Sequence, residues 1–117
     1  MNKAGPSPER QTLTTQQALD LAVQLHTAGD LPEARNAYQQ ILQTDANHPD
    51  ALHFLGVISH QVGENDRAVD LINKALAIKP DFAEAHSNLG TVHHKLGQLD
   101  EAVASCHKAI KIKPNYA

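Results

Sequence analysis

Residues Ala83–Tyr116 read AEAHSNLGTVHHKLGQLDEAVASCHKAIKIKPNY. Moved back by 34 positions, the same skeleton returns in Pro49–Phe82, and moved back by 34 more it returns, more loosely, in Thr15–His48. Leu21, Leu55 and Leu89 coincide, as do Gly29, Gly63 and Gly97. So do Ala34, Ala68 and Ala102, and the three histidines His26, His60 and His94. A fixed period of roughly 20 to 50 residues is the mark of a solenoid, in which each unit buries its apolar face only against its neighbours. The expected domain organisation is a disordered leader over 1–13, then repeats over 15–48, 49–82 and 83–116, the last with an uncapped end.

Each repeat reads as two helices. Thr14 with Gln17 three residues on is a capping-box pattern. It opens a first helix that runs to about Ala28, with Ala18, Leu21, Ala22 and Leu25 on one stripe at helical spacing. Gly29 stops it, because glycine takes the left-handed ending conformation without steric cost. Asp30-Leu31-Pro32-Glu33 starts the second helix, with Asp30 as cap, Pro32 in the first turn and Glu33 closing the box. Its inward stripe is Ala34, Ala37, Tyr38, Ile41 and Leu42. The third starts at Asn47-His48-Pro49-Asp50, carries Ala51, Leu52, Leu55, Ile58 and Val62, and ends at Gly63. The fourth, with Ala68, Leu71, Ile72, Ala75 and Leu76 inward, stops before Pro80. Asp81 with Glu84 opens the fifth, which ends at Gly97. The sixth carries Ala102, Val103, Cys106, Ala109 and Ile110 and is followed by Pro114. Six helices of roughly 13 residues, joined by short connections, imply antiparallel neighbours.

Small residues mark where helices approach closely. Ala22, Gly56 and Gly90 share one repeat position. Glycine inside a helix costs about 1 kcal/mol against alanine, so two at one position point to a neighbouring backbone too close for a side chain.

The 117 residues are 41% apolar but only 3% aromatic, with no Trp, two Tyr and two Phe. Stacked helices can pack through Ala and Leu instead. A formal net charge of −3 gives no reason to expect nucleic acid or an anionic membrane as partner. The charge is uneven: residues 1–73 hold nine acidic and four basic side chains, and residues 74–117 hold four and six. The lysine-rich end (Lys108, Lys111, Lys113) suits either an acidic partner or the dipole of the last helix. Gly5, Pro6, Ser7 and Pro8 sit in the leader. One cysteine, Cys106, allows no internal disulfide and fits a reducing compartment. No apolar run approaches the ~18 residues of a membrane span, and the N-terminus lacks the apolar core of a signal peptide. The expected location is the cytoplasm.

At Leu89-Gly90, Gly97, Ala102, Ala109 and Pro114 the chain resembles the tetratricopeptide repeat family. Leu55-Gly56, Gly63, Ala68, Ala75 and Pro80 resemble it in the middle repeat. Leu21-Ala22, Gly29, Ala34 and Tyr38 do so in the first, which has Ala46 where the late proline is expected. The resemblance covers residues 15–116 and implies a right-handed superhelical α-solenoid of three helix-turn-helix repeats. The family's aromatic positions are altered. His86 stands where the first-helix Trp is usual, Ser59 and His93 where a Tyr is, and Ile72 and Cys106 where the second helix has an aromatic.

Two narrower comparisons follow. Ala85–Gly90 followed by Gly97–Ala102 resembles repeats of the O-linked N-acetylglucosamine transferases, where an asparagine ladder lines the inner surface ahead of a catalytic region. Asn88 matches that ladder, but Asp20 and Phe54 hold the equivalent positions, and no stretch is left over for a glycosyltransferase. Co-chaperone repeats grip a carboxylate with Lys, Asn and Arg. The matching positions here are Leu19, Val23, Phe54, Glu84 and Asn88, and only Asn88 fits, so recognition of chaperone tails is not expected.

Stacked helix pairs curve around a concave face, and the resemblance implies that the first helix of each pair lines it. The expected peptide-binding residues are His26 from the first repeat, then Asp50, His53, Phe54, Val57 and His60, then Glu84, Ser87, Asn88, Thr91, His94 and Lys95. Gln16, Leu19, Asp20, Val23, Thr27 and Gln61 fall on the same face. This surface is polar with an apolar spot at Val23, Phe54 and Val57, which suits a peptide held by hydrogen bonds and one apolar anchor.

The eight histidines admit three readings: ordinary hydrogen-bonding side chains, a pH response near their unperturbed pKa of about 6.5, or metal binding. For the last, His60 and His94 are the candidates. No HxxxH pair sits on one helix, and a zinc site needs tetrahedral ligands at about 2.0–2.1 Å, so no metal and no cofactor is expected. His86 and His93 are expected between helices. Catalysis has little support. Cys106 and His107 point about 100° apart on a helix, Cys106 lies on the inward stripe, and no phosphate loop is present. Tyr116-Ala117 has the form of a next repeat's beginning, so the last helix is expected to expose Val103, Cys106 and Ile110 and to form a homodimer through that strip.

Overall fold

The computed structural model describes residues 13–114. The expected leader therefore lies outside the described residues apart from Leu13, and so does Tyr116-Ala117. Six helices follow one another: α1 (Thr15–Thr27), α2 (Leu31–Thr44), α3 (Pro49–Gln61), α4 (Asn65–Ile78), α5 (Ala83–Lys95) and α6 (Leu99–Ile112). No strand occurs among the described residues. The helices pair as α1–α2, α3–α4 and α5–α6, and each pair packs on the next through α2–α3 and α4–α5.

The turn inside each pair is built the same way three times. Gly29, Gly63 and Gly97 have φ of 84°, 87° and 77°, which a side chain would strain. In the first turn Gly29 N–H donates to the His26 carbonyl at 3.0 Å and Asp30 N–H to the Leu25 carbonyl at 2.9 Å. The same two bonds recur from Gly63 and Glu64 to His60 and Ser59, and from Gly97 and Gln98 to His94 and His93. This Schellman arrangement satisfies helix-end carbonyls and reverses the chain within the three residues between the helices.

Starts are less uniform. The Thr14 box forms as expected, with Gln17 N–H donating to Thr14 Oγ1 and Thr14 N–H to Gln17 Oε1. His48 caps α3 by accepting from Ala51 N–H through Nδ1 at 3.1 Å. Asp30 occupies the cap position of α2 but makes no side-chain cap bond. The residue before α5 is Phe82, not Asp81, and it too makes none.

The core forms one cluster between the first two pairs, around Leu19, Tyr38, Leu52 and Leu55. A second lies between the last two, around Ile72, Phe82, Leu89 and Val92. Burial departs from the expected stripes at both ends. Leu21 is 48% exposed, whereas Leu55 and Leu89 at the same repeat position are 2% and 6% exposed. Val103, Cys106 and Ile110, read both as part of the inward stripe of α6 and as an exposed end strip, are exposed.

The small-residue position behaves as expected. A Cβ on Gly56 would lie 2.7 Å from Ile72 Cγ1 and 3.3 Å from the Ala68 carbonyl oxygen. On Gly90 it would lie 2.9 Å from Cys106 Sγ and 3.2 Å from the Ala102 carbonyl oxygen. In both pairs the second helix presses its backbone onto the glycine.

Candidate binding face on the first helices

Among the described residues α3 touches α5, the first helices of the second and third pairs. The expected residues lie on α1, α3 and α5. Asp50, Phe54, Val57, His60, Ser87, Asn88 and His26 are half-buried, and Glu84, Thr91, His94 and Lys95 are exposed.

His53 is the exception and needs correcting as a groove residue. It is 0% exposed. Its neighbours cover it: its ring centre lies 4.7 Å from that of Phe82, the last residue of the second repeat, and 4.9 Å from that of Phe54. Asn88 Nδ2 lies 2.8 Å from its Nε2. Donation in that direction leaves the ring proton on Nδ1, which is buried with no partner. A second proton would add a charge with no acceptor to hold it. Burial, and secondarily the nearby His26, lower the His53 pKa to about 4. The ring is neutral at physiological pH and takes no part in any response near neutrality.

His26 is fixed from both sides. Nε2 lies 2.7 Å from Gln61 Oε1, and Nδ1 lies 3.3 Å from the Tyr38 hydroxyl. The amide oxygen can only accept, so Nε2 carries the proton and Tyr38 O–H donates to Nδ1. Tyr38 is fully buried, and burial pushes its pKa up to about 12, which keeps it a donor. Its ring stacks on Phe54 with centroids 5.7 Å apart, and His26 meets both rings edge-on. The result is a hydrogen-bonded aromatic seam joining the first two repeats, with Phe54 left half-buried.

The histidine ladder is not uniform. His60 Nδ1–H donates to Asn65 Oδ1 at 2.7 Å, which leaves Nε2 as an acceptor. His94 makes no side-chain hydrogen bond among the described residues, while its neighbour His93 donates from Nδ1 to Gln98 Oε1 at 2.6 Å. His86 is buried as expected, and its Nε2–H donates to the Pro80 carbonyl at 2.9 Å. No group of three His, Cys, Asp or Glu side chains converges to hold a metal among the described residues.

Tyr38 and Asn65 hold His26 and His60 in place although neither was expected to, and Gln61, expected on the same face, holds His26. Tyr38 read as a core residue, and only its hydroxyl signalled that burial needs a partner. Asn65 follows His60 by five residues, and Gln98 follows His93 by five. That offset across the turn is the signal in the sequence.

Comparison with known proteins gives the setting. No curated protein sequence matches the chain. Among solved structures, MamA superposes with a TM-score of 0.82 at 24% identity, over 92% of this chain and 63% of its own. The Thermobaculum terrenum O-GlcNAc transferase superposes with a TM-score of 0.86 at 30% identity, over 87% of this chain. This chain spans only 20% of that enzyme. The first TPR of Spaghetti, bound to the HSP90 peptide SRMEEVD, superposes with a TM-score of 0.81 at 20% identity, over 89% of this chain and 85% of its own. The tetratricopeptide repeat profile matches residues 25–87 and, in a second form, residues 83–116. Period, paired helices, glycine turns and profile agree, and the chain belongs to the tetratricopeptide repeat family.

Proposed function

We propose that this chain is a non-catalytic scaffold that binds an extended segment of a partner protein across the inner faces of α1, α3 and α5. The supporting observation is the composition of that face. A half-buried Phe54, backed by Tyr38 and His26, offers an apolar anchor. On the same helices are the His60 Nε2 acceptor and Asn88, and further along α5 Lys95 and, beside Val103 and Cys106, Thr91 and His94, which can pair with a peptide backbone or polar side chains. An apolar anchor ringed by hydrogen-bonding groups is the usual division of labour in peptide recognition. No helix among the described residues is long and apolar enough to cross a membrane, and the lone cysteine fits a reducing cytoplasm.

Peptides selected from a random displayed library against the intact chain test this. Phe54→Ala and His60→Ala are expected to weaken the selected peptides by about tenfold or more, with the helical circular dichroism signal retained. Peptides that bind both variants as well as the unaltered chain would contradict the proposal.

The likeness to the O-GlcNAc transferase favours a second reading, in which the array recruits protein substrates to an attached glycosyltransferase. The gene sequence following residue 117 separates the two. The exposed strip Leu99, Val103, Cys106 and Ile110 on α6 supports homodimer formation by this scaffold, and a monomeric mass by light scattering at high concentration would refute it.

A further inference from the structure

The repeat breaks down at one place on the outer side of the array. Where α4, α5 and α6 meet there is an open pocket of about 470 Å3, within the roughly 300–1,000 Å3 of small-molecule sites. Leu76 and Ile112 give it apolar walls, the buried His86 and Ser105 lie at its inner side, and the exposed Lys108 and Lys111 flank its mouth.

The preceding junction shows what makes the space. Leu52 stands where His86 does, and Leu71 stands where Ser105 does. Both leucines are buried in the core. Exchanging Leu for Ser at the second position removes apolar volume that the repeat otherwise uses. Lys108 has a counterpart in Lys74, but Lys111 replaces Ala77. The third repeat thus loses a filling side chain and gains a second cation at one spot. No carboxylate is among the residues lining the pocket. The one ion pair among the described residues is Arg35–Glu64, elsewhere on the surface, so both ammonium groups are free for a ligand.

We propose that this outer pocket binds a small aliphatic carboxylate, with its chain against Leu76 and Ile112 and its carboxylate between Lys108 and Lys111. Charge-assisted N–H···O bonds from two lysines hold the head group, and the apolar walls remove the chain from water. Three helices bound the open space on its inner side, and its volume of about 470 Å3 suits a compact ligand better than an extended peptide. The site is separate from the inner face, so either can fail without the other.

The test is a titration of the intact 15N-labelled chain with octanoate, with octan-1-ol as the uncharged control. Saturable amide shifts confined to the α4, α5 and α6 pocket are expected, with octanol at least about tenfold weaker. Lys108→Glu with Lys111→Glu should weaken octanoate by about tenfold or more. Ser105→Leu, which restores the side chain found at Leu71, should abolish binding by filling the pocket. Should that variant fail to fold, the exposed lysine pair carries the test. The proposal is overturned if octanoate gives no saturable shift, if octanol binds as well, or if the lysine pair has no effect. It is also overturned if the shifts map to Val103 and Ile110, or if an acidic peptide binds the pocket and octanoate does not.

Discussion

Gly56 and Gly90 occupy the same place in successive repeats, and so do the side chains that press on them, Ile72 and Cys106. Around the first pair, Ile72 is 0% exposed and walled in by the third repeat. Around the second, Cys106 touches its glycine just as closely but is open to solvent on the far side. Leu55 and Leu21 show the same contrast at the other end. Contact within a helix pair is therefore a property of the repeat, whereas burial is a property of the junction between repeats. The same rule explains His53. It is sealed by Phe82 at the end of its own repeat and by Asn88 of the following one, while its counterpart Ser87 remains half-buried.

The contrast is sharpest in large-to-small substitutions. Ile72→Ala should destabilise the chain by about 2–5 kcal/mol, because it opens a cavity with no room to collapse. Cys106→Ala should change stability by no more than about 0.5 kcal/mol. Urea denaturation of both variants checks this, and equal losses would break the distinction between junction and end.

Next in size is a pH effect at the sealed junction. The His53 pKa is about 4 folded against about 6.5 unfolded. Between these values the unfolded chain binds more protons, so stability rises with pH. The contribution is fully present above about pH 6.5 and is lost as pH falls toward 4, on the order of 3 kcal/mol in all. His53→Gln should flatten the dependence of the melting temperature over that window. A wild-type curve level from pH 6.5 to 4 would remove the claim.

Smaller still is the effect at the glycines. Gly56→Ala drives a methyl into Ile72, which is held on every side, and should cost about 1–3 kcal/mol. Gly90→Ala meets Cys106, whose side chain can turn into solvent, and should cost less than half as much. Equal shifts in the urea midpoint would mean that the Ala68 and Ala102 backbones, not the side chains, set the limit.

Much of the fold was legible because its determinants are local. The Thr14–Gln17 box and the three glycine turns act over three to five residues, and the 34-residue period carries them through the chain. The misses come from geometry that local patterns do not contain. Asp30 and Asp81 have the right chemistry for a cap, yet the backbone entering α2 and α5 leaves neither with a cap bond. His53 sits on a first-helix stripe beside Phe54. Which of the two the next repeat would cover depended on Asn88, 35 residues away. The outer pocket was invisible for the same reason, since Ser105 leaves a gap only against its neighbours from α4 and α5.

The inner face of α3 and α5 is held here to be the surface that meets the partner. A backbone amide shift map of the 15N-labelled chain, saturated with a selected peptide, measures this directly. The largest shifts should cluster at Phe54, Val57, His60 and Asn88. Largest shifts at Lys108 and Lys111, or along Val103 and Ile110, would contradict it.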